Sequence, residues 1–170
     1  MVESKFLRMD NPGKLVLQGN RISISFSEMQ GVPLLWKNLK TRLSAAGMLK
    51  GRIFYSVAMF GKEMSEGSFT PHTKFERWAA TPVLPDDRIL EENEKLEIGA
   101  GLYAIFLHRG RPEDFPQTAD FIFRQWLPLS SYRLDNRPHF EIPDPETKPE
   151  QPVWTEEIWI PVQEKDASQF

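Results

Sequence analysis

Between Gly101 and His108 the chain reads Gly-Leu-Tyr-Ala-Ile-Phe-Leu-His, with hardly a polar side chain among them. The run is too short for a globular helix. It suits a central strand buried on both faces. Such a strand sits inside a sheet, so the rest of the chain is read for the elements that surround it. A length of 170 residues fits one domain and buries a sizeable core without staples. We place that core at about residues 14–162 of a single domain spanning 1–170, with flexible termini.

Lys14 to Phe26 reads as strand, because Ile22, Ile24 and Phe26 alternate with Arg21, Ser23 and Ser25. Gly31 to Ala46 reads as an amphipathic helix. Val32, Leu35, Trp36, Leu39, Leu43 and Ala46 fall on one stripe, and Pro33 sits in the first turn. Ile53 to Phe60 and Phe75 to Val83 are strand-like, separated by a polar loop over Gly61 to Thr73. Pro85 to Glu94 is a charged connection. Arg111 to Leu127 is the second helix, with Pro112, Glu113 and Asp114 in its first turn and Pro128 as its stop. Ser130 to Arg137 is a polar turn. Pro138 to Ile142 and Glu156 to Val162 are strands, joined by a loop holding Pro143, Pro145, Pro149 and Pro152; the last residues look frayed. The order strand–helix–strand–strand therefore occurs twice. It predicts an α+β fold of two similar halves side by side, with helices on one side of a mainly antiparallel sheet. A cleft between halves is a natural ligand site.

Hydrophobic residues make up 40% and charged residues 26% of the chain, a globular composition. Net charge is -3 and no Lys/Arg block appears, so direct nucleic-acid binding is not expected. There are no cysteines, which removes disulfides, thiolate zinc sites and a Cys nucleophile together. His72, His108 and His139 form no paired metal motif, and no metal is expected. GxSxG, P-loop and dinucleotide patterns are missing, so no cofactor is expected either. The N-terminus lacks an apolar signal region and no stretch reaches membrane-helix length, which makes the cytoplasm the default compartment.

Aromatic residues are 12% of the chain. Trp36 and Trp126 lie on helix stripes, where core packing explains them. Trp159 lies between Ile158 and Ile160. If those isoleucines face the helices, Trp159 and Glu157 face the other side, as an exposed patch or as a cleft wall. Trp78, in the matching strand, and Tyr55, by similar alternation, join that face. Glu141 stands between Phe140 and Ile142. If these pack inward, Glu141 and His139 point the other way. A solvated glutamate and a cleft carboxylate both remain open. In a partly apolar cleft the carboxylate would be costly to desolvate and would favour a cation, helped by aromatic faces. The same group could serve as general acid or base.

Residues 123–144 read Phe-Arg-Gln-Trp-Leu-Pro-Leu-Ser-Ser-Tyr-Arg-Leu-Asp-Asn-Arg-Pro-His-Phe-Glu-Ile-Pro-Asp. With Gly101 to Gly110 before them and Glu157-Ile-Trp-Ile-Pro-Val162 after, the chain resembles the GyrI-like small-molecule-binding family. That family includes effector-binding domains of bacterial AraC-type and MerR-type multidrug regulators. The match is strong over residues 101–162 and looser over 14–83. The resemblance implies a duplicated β-α-β-β fold with a pseudo-two-fold central cleft. It also implies a buried glutamate at Glu141 that binds cationic lipophilic drugs, with Trp159 lining the pocket. His139, Trp78, Tyr55 and Trp126 complete the candidate lining from the face assignments. The sequence shows no helix-turn-helix region, so a transcriptional role would need a separate partner.

Three readings follow. The chain is a stand-alone module that senses or sequesters a small cationic or amphipathic organic ligand. Alternatively, it is a hydrolase of cyclopropane-type electrophilic toxins using Glu141. A third reading makes the aromatic face a protein-interaction surface. The lack of a standard nucleophile favours the first over the second, and the carboxylate favours it over the third. The natural ligand and the oligomeric state are left open.

Overall fold

The apolar run forms the strand it predicts. β6 spans Tyr103–Gly110 and lies between β1 (Glu3–Asp10) and β9 (Trp154–Glu164), antiparallel to both. Tyr103, Ala104, Ile105 and Phe106 are all fully buried, as cover on both faces requires. The structure is a computed structural model that describes residues 2–148 and 150–166. Met1, Pro149 and the terminal residues expected to fray lie outside the described residues.

The other strands are β2 (Leu15–Ile24), β3 (Tyr55–Met59), β4 (Phe75–Pro82), β5 (Glu94–Ile98), β7 (Tyr132–Leu134) and β8 (His139–Pro143). They form one antiparallel sheet in the order β1-β6-β9-β8-β3-β4-β2-β5, with β7 also paired to β9. The pairing of β3 with β8 joins the first strand–helix–strand–strand segment to the second. The fold is α+β, with two helical segments on one side of the sheet.

Helix α1 (Val32–Ala45) buries Leu35, Leu39 and Leu43 against Ala79 of β4. The second segment is a continuous helical run of mixed pitch. A 3₁₀ turn (Pro112–Asp114) leads into α3 (Phe115–Asp120), then a π-helical stretch (Phe121–Trp126), then α4 (Leu127–Leu129). Ile122 of the π stretch is buried with Phe106, Ile158 and Ile160. Each helical segment thus covers one half of the sheet.

Among the described residues the opposite face has no helix over it, and it is still apolar. Its cluster includes Leu17, Val57, Trp78, Ile98, Tyr103, Phe140 and Trp159. Chain connectivity explains how that face stays dry. β5 and β6 are separated only by residues 99–102 yet lie six steps apart in the sheet order. Six steps of a flat sheet span about 29 Å. Five Cα-to-Cα links reach at most about 18 Å. The sheet must therefore curl, and the helix-free face is the inside of the curl.

Several elements differ from expectation. A strand the sequence reading does not assign, β1, lies ahead of residue 14 and pairs with β6. None of its side chains is fully buried; Leu7 and Met9 pack on the edges of the two clusters either side of the sheet, and Phe6 stacks on Trp126. β5 begins at Glu94, the last residue of the charged connection, and runs through residues the sequence reading leaves unassigned. Leu96 and Ile98 are buried, while Glu94, Lys95 and Glu97 make it a charged edge strand. The polar turn after the second helix holds β7, and the Gly61 to Thr73 loop holds one helical turn, α2 (Glu63–Glu66). Pro128 does not stop the second helix. The N–H of Leu127 bonds back to Ile122 C=O, a wide π-type turn just before the proline, which has no N–H to place.

Candidate functional site

Strand parity decides which side chains meet. Glu141 of β8 lies across from Ser56 of β3 and Ile158 of β9, so it shares their face. Ile158 and Ile160 pack under the second helical segment. Glu141 and His139 therefore stand on the helix side. Phe140 lies across from Val57 and Trp159, on the inside of the curl.

This splits the residues grouped from sequence. Trp159 and Trp78 do face away from the helices, but both are buried there, at 6% and 3% exposure. Trp159 stacks on Phe140 at 5.1 Å, donates its indole N–H to Glu157 and is covered by Arg8. Tyr55 packs on Phe140 at 5.2 Å on the same inner face. None of the three reaches Glu141, and the pair of tryptophans presents no exposed patch to a partner. Trp126 is on the helix side but packs between Phe6, Phe106 and Tyr132, away from Glu141. The reason is one of register. Glu141 and Trp159 sit on neighbouring strands, and the β8–β9 pairing puts Ile158, not Trp159, opposite Glu141.

Between the two helical segments the sheet is open, and the opening has two lobes. One, of about 580 Å³, lies between the second segment and the β3–β4 connection, with Phe60, Met64, Phe69, Ala119 and Phe123 among its walls. The other, of about 550 Å³, lies against α1, with Trp36, Phe54, Pro143, Trp154 and Glu156. Ser56 and Glu141 line both lobes. Glu141 is therefore at their junction, with its side chain 22% exposed.

The aromatic wall consists of phenylalanines that sequence reading did not single out. Phe26, Phe60, Phe69 and Phe75 pack ring to ring, with Phe60 on Phe75 at 4.7 Å and on Phe69 at 5.3 Å. His139 packs edge-on against Phe60 at 4.8 Å. Burial drives its imidazole down to about 3, and the charge of Arg77 acts the same way. His139 is thus a neutral wall residue at ordinary pH.

Arg77 of β4 enters the same floor. It donates to Ser56 Oγ at 2.9 Å and stands 3.9 Å from Glu141 Oε1, with only 8% of its side chain exposed. Glu156 of β9 is the second carboxyl. Burial pushes it well above the ordinary carboxylate range; the Glu141 charge adds to that, and Arg77 opposes it. His108 of β6 lies across from Glu156. Its Nδ1 meets Thr118 Oγ1 at 2.6 Å, its Nε2 is buried without a partner, and burial lowers its pKa. Both extra charges were readable in principle. Glu156 has the parity of Ile158 and Ile160, and Arg77 that of Phe75 and Ala79. Among the described residues no group of His, Asp or Glu is placed to hold a metal ion, and no helix is long and apolar enough to cross a membrane.

A two-lobed apolar opening with a few converging polar groups, set between two halves of one sheet, defines a small-molecule-binding domain. The chain belongs to the GyrI-like small molecule binding domain family, whose model matches residues 19–163. No curated protein matches. Solved structures share the fold. SAV2435 bound to tetraphenylphosphonium is 14% identical, with a TM-score of 0.67, covering 94% of this chain and 94% of that one. The EcmrR C-terminal domain is 14% identical at a TM-score of 0.67, covering 97% and 99%. An integron cassette protein from Vibrio cholerae is 14% identical at a TM-score of 0.60, covering 95% and 99%.

Proposed function

We propose that the cleft binds lipophilic aromatic cations, and that Glu141 is the carboxylate that selects for positive charge. The observation that carries the reading is the place of Glu141 at the junction of both lobes. A ligand that spreads flat groups into the two aromatic lobes puts its centre beside that carboxylate. Ring faces from Phe60, Phe69 and Phe123 on one side and Trp36, Phe54 and Trp154 on the other supply apolar area and cation–π attraction. The solved SAV2435 structure, with the same fold, holds tetraphenylphosphonium, a ligand of that shape and charge. The two strand–helix–strand–strand segments are read as duplicated halves related by a pseudo-two-fold at this seam. Sensing or sequestration both follow from such binding.

The test is a titration with tetraphenylphosphonium followed by tryptophan fluorescence, since Trp36 and Trp154 line one lobe. Wild type is expected to prefer the cation over neutral triphenylphosphine oxide. Glu141→Gln should lose about tenfold or more in affinity for the cation, or about 1.4 kcal/mol, and little for the neutral compound. Equal cation affinity in the variant would count against Glu141. No saturable binding of either compound would sink the reading as a whole.

A further inference from the structure

The floor of the cleft holds two carboxyls rather than one. In the β8–β9 register Glu141 pairs with Ile158 and Pro143 with Glu156, so the two glutamates are diagonal neighbours on one face. Diagonal neighbours of this kind lie about 7–8 Å apart at Cα, within reach for long side chains. Both line the lobe against α1. Arg77, 3.9 Å from Glu141 and hydrogen-bonded to Ser56, is the cation fixed between strands beside them. Glu156 forms no ion pair among the described residues.

The remaining charged and titratable groups around Glu156 are accounted for. From β6, His108 is kept neutral by burial and holds Thr118. Asp114, at the start of the second helical segment, is paired with Arg111. From α1, Lys40 lies over the rings of Trp36 and Phe54 at the rim. Arg52, before β3, is locked to Asp87. After β8, exposed Asp144 caps its own turn by accepting from the N–H of Glu146. Two carboxylates facing one arginine leave the floor one negative charge in excess. An enclosed floor does not carry that excess without cost; a carboxyl beside another carboxylate keeps its proton until a cation arrives.

We propose that this pair is a proton-exchanging cation subsite: the lobe against α1 takes one positive centre between Glu141 and Glu156, and its arrival displaces one proton from Glu156 to solvent. The burial of Glu156 agrees with this, since it already holds the carboxyl in its neutral form well above the ordinary range. The subsite is matched to a monocation, because one positive charge restores neutrality and two would not. The inference rests on the cation-binding reading given above and adds its charge stoichiometry and its pH dependence.

The experiment is calorimetric titration of the whole chain with tetraphenylphosphonium at about pH 6 in phosphate and in Bis-Tris, whose ionisation enthalpies differ widely. Close to one proton released per cation is expected. Affinity should rise about tenfold per pH unit below the titration of Glu156 and level off above it. Glu156→Gln copies the neutral form. It should bind more weakly than wild type above the titration of Glu156, release no proton and lose the wild-type pH dependence. Binding with no proton released by wild type overturns the inference and leaves the cation reading standing. So does a Glu156→Gln variant that keeps the wild-type pH dependence. Absence of binding overturns both. The proton count of wild type decides even where the variant folds poorly.

Discussion

Replacing Phe140 with alanine is expected to lower the free energy of unfolding by about 3–5 kcal/mol. Phe140 is 1% exposed and belongs to the cluster on the inner face of the curl. Its ring stacks on Trp159 at 5.1 Å and packs on Tyr55 at 5.2 Å and Tyr103 at 5.0 Å. It also stands where the two segments join, on β8 between β3 and β9. The ring is enclosed by Tyr55, Tyr103 and Trp159 of the same face. The loss therefore includes both the transfer of the ring and the cavity that remains. Urea unfolding measures it as a shift of midpoint at unchanged slope. A loss under about 1 kcal/mol would show that the inner face is not the tightly packed core described here.

The second large effect is on acid stability and comes from His139. Its folded-state pKa, about 3, lies below its ordinary value of 6.5. Between those values the unfolded chain binds a proton that the folded chain does not. Stability contributed by the neutral imidazole is complete above pH 6.5 and is lost as pH falls toward 3, with a limiting slope of about 1.4 kcal/mol per pH unit. By about pH 4 the loss is on the order of 3 kcal/mol. Glu156 acts with the opposite sign, because a raised carboxyl makes the folded state bind the proton first. Comparing wild type with His139→Asn cancels that contribution. The difference in unfolding free energy between the two should shift in favour of the variant by this amount from neutral pH to about pH 4. Parallel stability profiles would show that His139 titrates normally.

Both effects lie on β8, and that strand shows how far the sequence could be read. The alternation His139, Phe140, Glu141, Ile142 was legible and correct: the apolar pair turns one way and the polar pair the other. Which way each pair faces relative to β9 was not legible. The same alternation on β9 was also correct, with Ile158 and Ile160 toward the helices and Trp159 away. Joining the two needed the register, and a register is a tertiary fact. It put Glu141 with Ile158 and Ser56, and left Trp159, Trp78 and Tyr55 on the inner face. The aromatic wall was missed for a related reason. Phe60 ends the strand-like run, just past β3, and Phe69 lies in the polar loop that follows, where no periodicity marks a face.

By itself the sequence determined the α+β class, the two main helical segments on one side of the sheet, and most of the strands between residues 14 and 162. These follow from local patterns of period two and period near 3.6, together with the motif string around residues 123–144. The curl of the sheet, the pairing of β1 and β5 at its two edges, and the meeting of Glu141 with Arg77 and Glu156 were decided only in the tertiary structure. Each depends on contacts between strands distant in sequence, which no single strand's pattern specifies. The grouping of charged side chains at the cleft floor is such a property. It exists only because three strands bring one arginine and two glutamates to the same face.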